Sequence, residues 1–398
     1  MTWRIELDKL LNESVFSARV REQSALDRVA GSFADRIVLY GAGNLGRQTA
    51  AGLRKHGVQP LAFTDRNSAL WGTSIEGVPV LSPEDAVSKF GNSATFVVCV
   101  WNPDRVRGIH TLVDYVSSLG ARFVVPFVVM FWKYADTFLP YYFWDLPSRL
   151  LAQADKIRYA ARAFSEESTE LFVAHLKVRL FGDSSYFPRP AAESTYFPLD
   201  LLTLKPDECF VDCGAFDGDT IRELLQQNNG QFSRIVAFEP DPKTFEALRK
   251  DVESRPELNG KTLLYTSVLG ARPGKVRFDA VGQMASSVSD NGAIEVECIT
   301  LDDVLRTEAP TFIKMDIEGS EIPALEGGRR TITQHRPVLA VSIYHRPEDI
   351  WRIPLLMREL EPDSSLDLRM YWMDGFDTVC YAIPPERRLI PARMQMLA

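Results

Sequence analysis

One pattern, occurring twice, constrains this chain most: a short apolar run, a glycine turn, then a helical stretch. RIVLY leads into GAGNLG and RQTAAGLRKHG from Arg36, and ECFVDCGAFDGDTIRELL repeats the order from Glu208. A strand feeding a helix through such a turn begins a parallel βαβ unit. More strand-type runs follow each turn. PLAFTD, TFVVCVW and RFVVPFVV follow the first; RIVAFEP, KTLLYTSVLG, TFIKMD and PVLAVSIYH follow the second. The second series ends in LDLRMYWMDGFDTVCYAIP, two strand-type runs around Asp374-Gly375, which is a hairpin signal. The predicted class is α/β with two parallel-sheet domains. Four segments are expected: a helical N-terminal segment over 1–34, a nucleotide-type unit over 35–130, a helical and loop connector over 131–204, and a second unit over 205–398.

Charge narrows the partners. Lys plus Arg is 45 and Asp plus Glu is 53, so the net charge is 45 − 53 = −8. Phosphate-backbone binding needs a basic face, so nucleic acid is not an expected partner. Cys99, Cys209, Cys213, Cys298 and Cys380 form no CxxC pair, and an odd, scattered set reads as reduced thiols in a cytoplasmic protein. The first thirty residues are charged and amphipathic, unlike a secretory leader. The most apolar stretch, Arg122 to Pro147, is broken by Pro126, Lys133 and Asp136, short of the ~20 apolar residues that span a bilayer. It is read as a strand followed by aromatic packing between domains, and no stable membrane insertion is expected. Oligomeric state is not legible.

In the second turn, VDCGAFDGDT, Asp212 ends a strand, and Gly214 and Gly218 allow close approach of backbone to a ligand. The helix that follows offers free N–H groups. Asp212, Asp217 and Asp219 crowd the turn. They would repel a pyrophosphate and suit the ammonium and sulfonium of S-adenosylmethionine. Glu239, in AFEPDP, ends the next strand 21 positions after Gly218, where a carboxylate can accept from both ribose hydroxyls. TFIKMDIEGSE brings Lys314 and Asp316 to a strand end, with Glu318, Gly319 and Glu321 opening the next helix. In an open α/β sheet, ligands sit at that edge.

The first turn, GAGNLG, places Gly41, Gly43 and Gly46 around Asn44 and Leu45, with Asp65 19 positions after Gly46. This is a Rossmann fingerprint in its proper context. TDRNSALWGTSIEGVPVLSPEDAV resembles the nucleotide-sugar-binding domains of sugar-modifying acyltransferases more than a dehydrogenase, and no Tyr-x-x-x-Lys pair follows. A nucleotide-sugar site at these six residues, a degenerate fold without ligand, and an NAD site are the open readings.

KMDIEGSE, with upstream ITLDDVL and VDCGAFDGD, resembles the FkbM family of methyltransferases, and PVLAVSIYH and TVCYAIP fit the same pattern. The resemblance covers about Lys205 to Pro384. It implies two Rossmann-like domains, the C-terminal one a seven-stranded methyltransferase sheet with a terminal antiparallel hairpin. It also implies an S-adenosylmethionine-dependent O-methyltransferase acting on a hydroxyl of a sugar, glycan or related metabolite, such as a polysaccharide precursor. By the resemblance, Asp212, Gly214, Ala215, Phe216, Asp217, Gly218, Asp219, Thr220, Glu239, Pro240 and Asp316 take the cofactor, with Ser267 and Val268 flanking adenine. Phe216 departs from the family, which usually has Asn there. The alternatives are an NAD(P)-dependent oxidoreductase, or a non-catalytic nucleotide-sugar-binding protein, using the N-terminal unit.

Alkylating an alcohol needs a base for its proton. His345, ending the fifth strand, is the expected base; Asp316 is the rival, assisted by Lys314 or Glu318. A cation between Asp316, Glu318 and His345 is chemically conceivable, but the trio lacks diagnostic spacing and no metal is expected.

Overall fold

The computed structural model describes residues 2–101, 107–192, 194–280, 286–289 and 292–389. Two helices, Thr2–Leu11 and Val15–Ala30, precede the first sheet. Its strands are β1 (Ile37–Tyr40), β2 (Ala62–Thr64), β3 (Ser74–Ile75), β4 (Val78–Leu81), β5 (Thr95–Val98) and β6 (Phe123–Pro126), in the order β3-β4-β2-β1-β5-β6. Only the β3–β4 pair is antiparallel. β3 and β4 were not expected; they are short, and a turn through left-handed Glu76 and Gly77 joins them.

The expected strand RFVVPFVV is only half strand. After Pro126 the chain coils into a helix, Phe127–Lys133, in which Phe127 to Trp132 are all buried. A run buried on every side has no period to separate strand from helix. These residues pack into the first core with Phe143 and Trp144.

The second sheet has seven strands: β7 (Cys209–Cys213), β8 (Arg234–Phe238), β9 (Thr262–Tyr265), β14 (Phe312–Met315), β15 (Val338–Ser342), β16 (Ser365–Met370) and β17 (Thr378–Ile383). Their order is β16-β17-β15-β14-β7-β8-β9. Five are parallel, and β17 enters antiparallel to β15 as the second arm of the hairpin with β16. β7 is the switch point, with β8 on one side and β14 on the other. An additional sheet lies between β9 and β14 in the chain: β10 (Val268–Leu269), β11 (Gly274–Asp279), β12 (Ser287–Val288) and β13 (Ile294–Ile299), in the order β10-β13-β11-β12. Residues 390–398 of the expected second unit lie outside the described residues.

The segment before β7 covers the second sheet. Helix Glu166–Phe181 buries Phe172, Leu176 and Leu180 in one apolar cluster with Val341, Leu366 and Leu368. Tyr344, Met370 and Met373 instead join the core of the first sheet. Among the described residues, no helix is long and apolar enough to cross a membrane.

Candidate active site

Parallel register creates the floor of the site. Lys314 on β14 lies opposite Asp212 on β7. Their side chains pair at 3.0 Å with almost no exposure. Lys314 Nζ also donates to the Gly214 carbonyl and sits 5.1 Å from the Tyr196 ring centroid. The Asp212 carboxylate holds the ammonium charged, and Lys314 titrates above the ordinary lysine range despite burial. Burial raises Asp212 to about 6 against the pull of Lys314.

Immediately after β7 the chain turns through Gly214, at φ +85°. A Cβ there would lie 2.0 Å from the Asp316 carbonyl oxygen, so the ends of β7 and β14 close on each other only with glycine at this point. Phe216 is also left-handed, at φ +47°. Its N–H donates to Glu239 Oε2 at 2.9 Å, while Glu239 Oε1 accepts from Asp241 N–H and the Thr244 hydroxyl. The carboxylate at the end of β8 thus shapes the turn after β7.

These residues border one pocket at the carboxyl edge of the switch point. Gly214, Phe216, Asp219, Thr220, Glu239, Pro240, Ser267, Val268, Lys314, Asp316 and Glu318 line it, as expected from sequence. Five other expected residues do not. Asp212 faces Lys314 beneath the floor. Asp217 turns away to Arg222, at 2.7 Å. Ala215 is packed in the core. Gly218, at φ +88°, caps the next helix. The acidic crowd read at this turn is therefore one pocket-facing residue, Asp219.

His345 is the fifth, and its surroundings do not fit an acceptor-facing base. The side chain is 2% exposed; Nδ1 lies 2.9 Å from Glu321 Oε1, and Nε2 lies 3.2 Å from Asp316 Oδ1 and 3.7 Å from Glu318 Oε1. These carboxylates push the imidazole well above its ordinary pKa, outweighing burial. The ring does not line the pocket in which an acceptor hydroxyl would meet the cofactor. Asp316, Glu321 and His345 each offer a ligand atom within 4.8 Å of the others. The two ring nitrogens face different carboxylates: Nδ1 is hydrogen-bonded to Glu321, while Nε2 lies 3.2 Å from Asp316 without a hydrogen bond.

Asp316 is the hub. Oδ2 accepts from the Tyr196 hydroxyl at 2.7 Å and Oδ1 from the Tyr344 hydroxyl at 3.2 Å. With His345 and Lys314 beside it, its carboxyl is held well below the ordinary range although burial opposes this. Glu318 behaves oppositely: burial and neighbouring carboxylates raise it to about 7. Its backbone is left-handed, φ +52°, followed by Gly319 at φ +92°. That double turn swings the carboxyl onto the pocket wall. Tyr196, Tyr344 and Asp377 were not singled out from sequence, whereas Glu321 was placed in this cluster without a role. Tyr196 lies in the loop part of the expected connector over 131–204.

The lining differs across the sheet. On the β9 side it is apolar: Val268, Leu269, Phe278 and Val288. On the β14 side it is acidic: Asp219, Asp316, Glu318 and Asp377. Among the described lining residues Lys314 alone supplies a cation, and it is already paired. Residues 212–372 match the methyltransferase FkbM domain. This chain carries an FkbM methyltransferase domain.

Among solved structures, the methyltransferase FkbM from Methylobacillus flagellatus KT superposes with a TM-score of 0.76 at 24% identity, covering 96% of this chain and 98% of that one. That likeness establishes the fold along nearly the full chain. The 2-O-methyltransferase NoeI of Sinorhizobium fredii is 26% identical over 159 residues, 34% of this chain and 63% of NoeI. The hexuronic acid methyltransferase AglP of Haloferax volcanii is 27% identical over 101 residues, 24% of this chain and 41% of AglP. This chain thus spans less than two thirds of the length of these relatives.

At the first turn, Gly41 (φ +112°) would press a Cβ to 2.6 Å from the Cys99 carbonyl oxygen, and Gly46 to 1.9 Å from that of Gly41. Asn44 opens the helix exposed, and Leu45 is buried. Asp65 accepts from Ala42 N–H and Asn67 N–H, and Arg47 Nε donates to the Ala42 carbonyl. Only Gly43 has open space around it. The acidic residue of the fingerprint is engaged in holding its own turn.

Proposed function

We propose that this protein is an S-adenosylmethionine-dependent O-methyltransferase acting on a hydroxyl of a saccharide. The observation that carries the cofactor is the graded lining of one pocket: an apolar slot, then Glu239, then carboxylates. A planar base, a ribose and a cationic sulfonium–ammonium end match that sequence. A dinucleotide's pyrophosphate would meet like charge in this pocket. The oxidoreductase alternative, which used the N-terminal unit, is not favoured beside two methyltransferase relatives. A saccharide acceptor is supported by the two relatives, one a 2-O-methyltransferase and one a hexuronic acid methyltransferase.

S-adenosylmethionine supplies the methyl group. Glu239 and the Gly214–Phe216 backbone hold the nucleoside half, and Ser267 and Val268 flank the base. Asp219, Thr220 and Asp316 border the methionine end. Lys314 and Asp212 set the floor, and the Tyr196 and Tyr344 hydroxyls fix Asp316. The base role moves from His345 to Glu318. Its carboxyl faces the pocket and titrates near neutrality, the condition for efficient general-base catalysis. As the acceptor oxygen is alkylated, Glu318 takes its proton. His345 keeps Asp316 ionised and oriented.

Two measurements test this. Calorimetry on the whole chain should detect S-adenosylmethionine binding, weakened about 10- to 100-fold in Glu239→Gln, the worth of charge-assisted bonds. Glu318→Gln should lower kcat by roughly 10²–10⁴-fold with cofactor affinity unchanged. In the wild type, kcat/KM should rise with pH and level off above about 7, because the ionised carboxylate is the active form. No cofactor binding by the wild type defeats the reading; normal turnover in Glu318→Gln defeats the base.

A further inference from the structure

A second, more open cleft lies beside the cofactor pocket. The two share Tyr196, Asp219, Thr220, Asp316 and Asp377. A ligand in the second therefore reaches the same acidic edge as a ligand in the first. Its outer wall is one stripe of helix Asp219–Gln227, with Arg222, Glu223, Gln226 and Gln227, faced by the half-buried Trp372 of the β16–β17 connection. An aromatic ring opposite amides and carboxylates is the furniture of a saccharide site, with an apolar face for the sugar ring and acceptors and donors for its hydroxyls.

The charge of the cleft says more. Asp219, Glu223, Asp316 and Asp377 bring four carboxylates to its lining. Arg222 is the one cation among them, and it is engaged with Asp217 at 2.7 Å and Asp251 at 3.5 Å. An acidic ligand entering here finds no uncommitted cation among the described lining residues and several like charges. Like charges juxtaposed across an interface suppress the wrong partner.

We infer that this cleft is the acceptor subsite and that it takes an uncharged saccharide, excluding uronates, sugar phosphates and nucleotide-linked sugars. The inference rests on the O-methyltransferase reading and deepens it by naming the class of acceptor. It separates this protein from a relative named for a hexuronic acid. Trp372 and Gln226 are its positioning groups, and Glu223 is its charge filter.

The test uses the full chain saturated with S-adenosylhomocysteine, whose binding is first measured by calorimetry. Absence of that binding would overturn the methyltransferase reading itself. With the cofactor product bound, the labelled protein is applied to an array carrying neutral glycans beside their uronate and phosphorylated counterparts. Neutral glycans should be retained at least about tenfold more tightly than matched acidic ones, and added salt should narrow the gap. Trp372→Ala should lose glycan retention while cofactor-product affinity stays within about twofold. Because Trp372 also touches the core, a second variant guards against misfolding: Glu223→Lys, on the helix surface, should raise uronate retention about tenfold and so narrow the preference for neutral glycans. Retention confined to acidic glycans, or none at all by a protein that binds the cofactor product, overturns the inference. So does a Glu223→Lys variant whose uronate retention is unchanged.

Discussion

Asp212 and Lys314 were both read from sequence as site residues, and both are essential to the site for a reason the sequence hides. Strand-end position predicts proximity to ligand but not depth. Cross-strand register at 212 and 314 puts the carboxylate under the ammonium and out of the pocket. Removing one member of a buried pair leaves the other uncompensated, at about 3–5 kcal/mol. Asp212→Ala should therefore unfold in less denaturant by about that amount. Asp212→Leu combined with Lys314→Met should recover most of the stability without restoring cofactor affinity. Equal stability of Asp212→Ala and wild type, by urea titration, would count against a paired lysine. His345 shows the same limit: sequence grouped it with Asp316 and Glu318 but could not show its depth or that Glu321 holds Nδ1. With the ring set between Glu321 and Asp316, His345→Ala should lower the melting temperature and weaken cofactor binding together. A base facing the acceptor would leave both unchanged and lose only turnover.

At the scale of elements, the two glycine turns look alike in sequence and differ in use. Both close a strand end onto a neighbour: Gly214 against the Asp316 carbonyl, Gly46 against that of Gly41. Gly214 borders the pocket and is left-handed, whereas Gly46 packs inside a helix. Gly214→Ala should cost about 1–3 kcal/mol from backbone strain alone and abolish cofactor binding. Gly46→Ala should destabilise the protein while cofactor affinity in the folded fraction stays near normal. Loss of affinity in Gly46→Ala would show that the first turn, too, serves the cofactor. The strands of the large sheet were legible because they are apolar runs ended by glycine or acidic turns. The four-stranded sheet was not, although β13 (IEVECI) alternates with period two. Its partners are too short or too exposed to register, with β11 reading GKVRFD. In ITLDDVL, part of the family resemblance, Asp302 accepts from Arg330 and Thr331 N–H at the start of helix Arg329–His335. A motif quoted for chemistry here holds a helix end.

The whole molecule is joined at Asp374, in the β16–β17 connection that the sequence marked only as a hairpin turn. Both carboxylate oxygens accept from Ile109 N–H, at 2.8 and 3.0 Å, at the start of helix Ile109–Ser118 beside the first sheet. The Ncap residue, Gly108, has no side chain to offer, and a Cβ there would lie 2.7 Å from Asp374 Oδ1. The second unit thus caps a helix of the first, while Phe376 stacks edge-on against Trp101 and Tyr344, and Asp377 lines the pocket. Asp374 is left-handed, φ +71°, a conformation asparagine also tolerates. Burial raises its carboxyl from the ordinary range to about 6, partly offset by the bond from Ile109. The folded pKa exceeds the unfolded one, so the favourable contribution is complete below about pH 4 and is lost as pH rises through about 6. Asp374→Asn keeps an oxygen for the cap and does not titrate. The stability of wild type relative to Asp374→Asn should therefore fall by an amount on the order of 2–3 kcal/mol between pH 4.5 and pH 7.5, followed by urea unfolding at each pH. Asp374→Ala, which loses the cap and cannot adopt the turn cheaply, should be about 1–3 kcal/mol less stable than Asp374→Asn at both pH values. A wild-type minus Asp374→Asn difference that is flat with pH would mean that the carboxyl is solvated and the joint between the two units opens in solution.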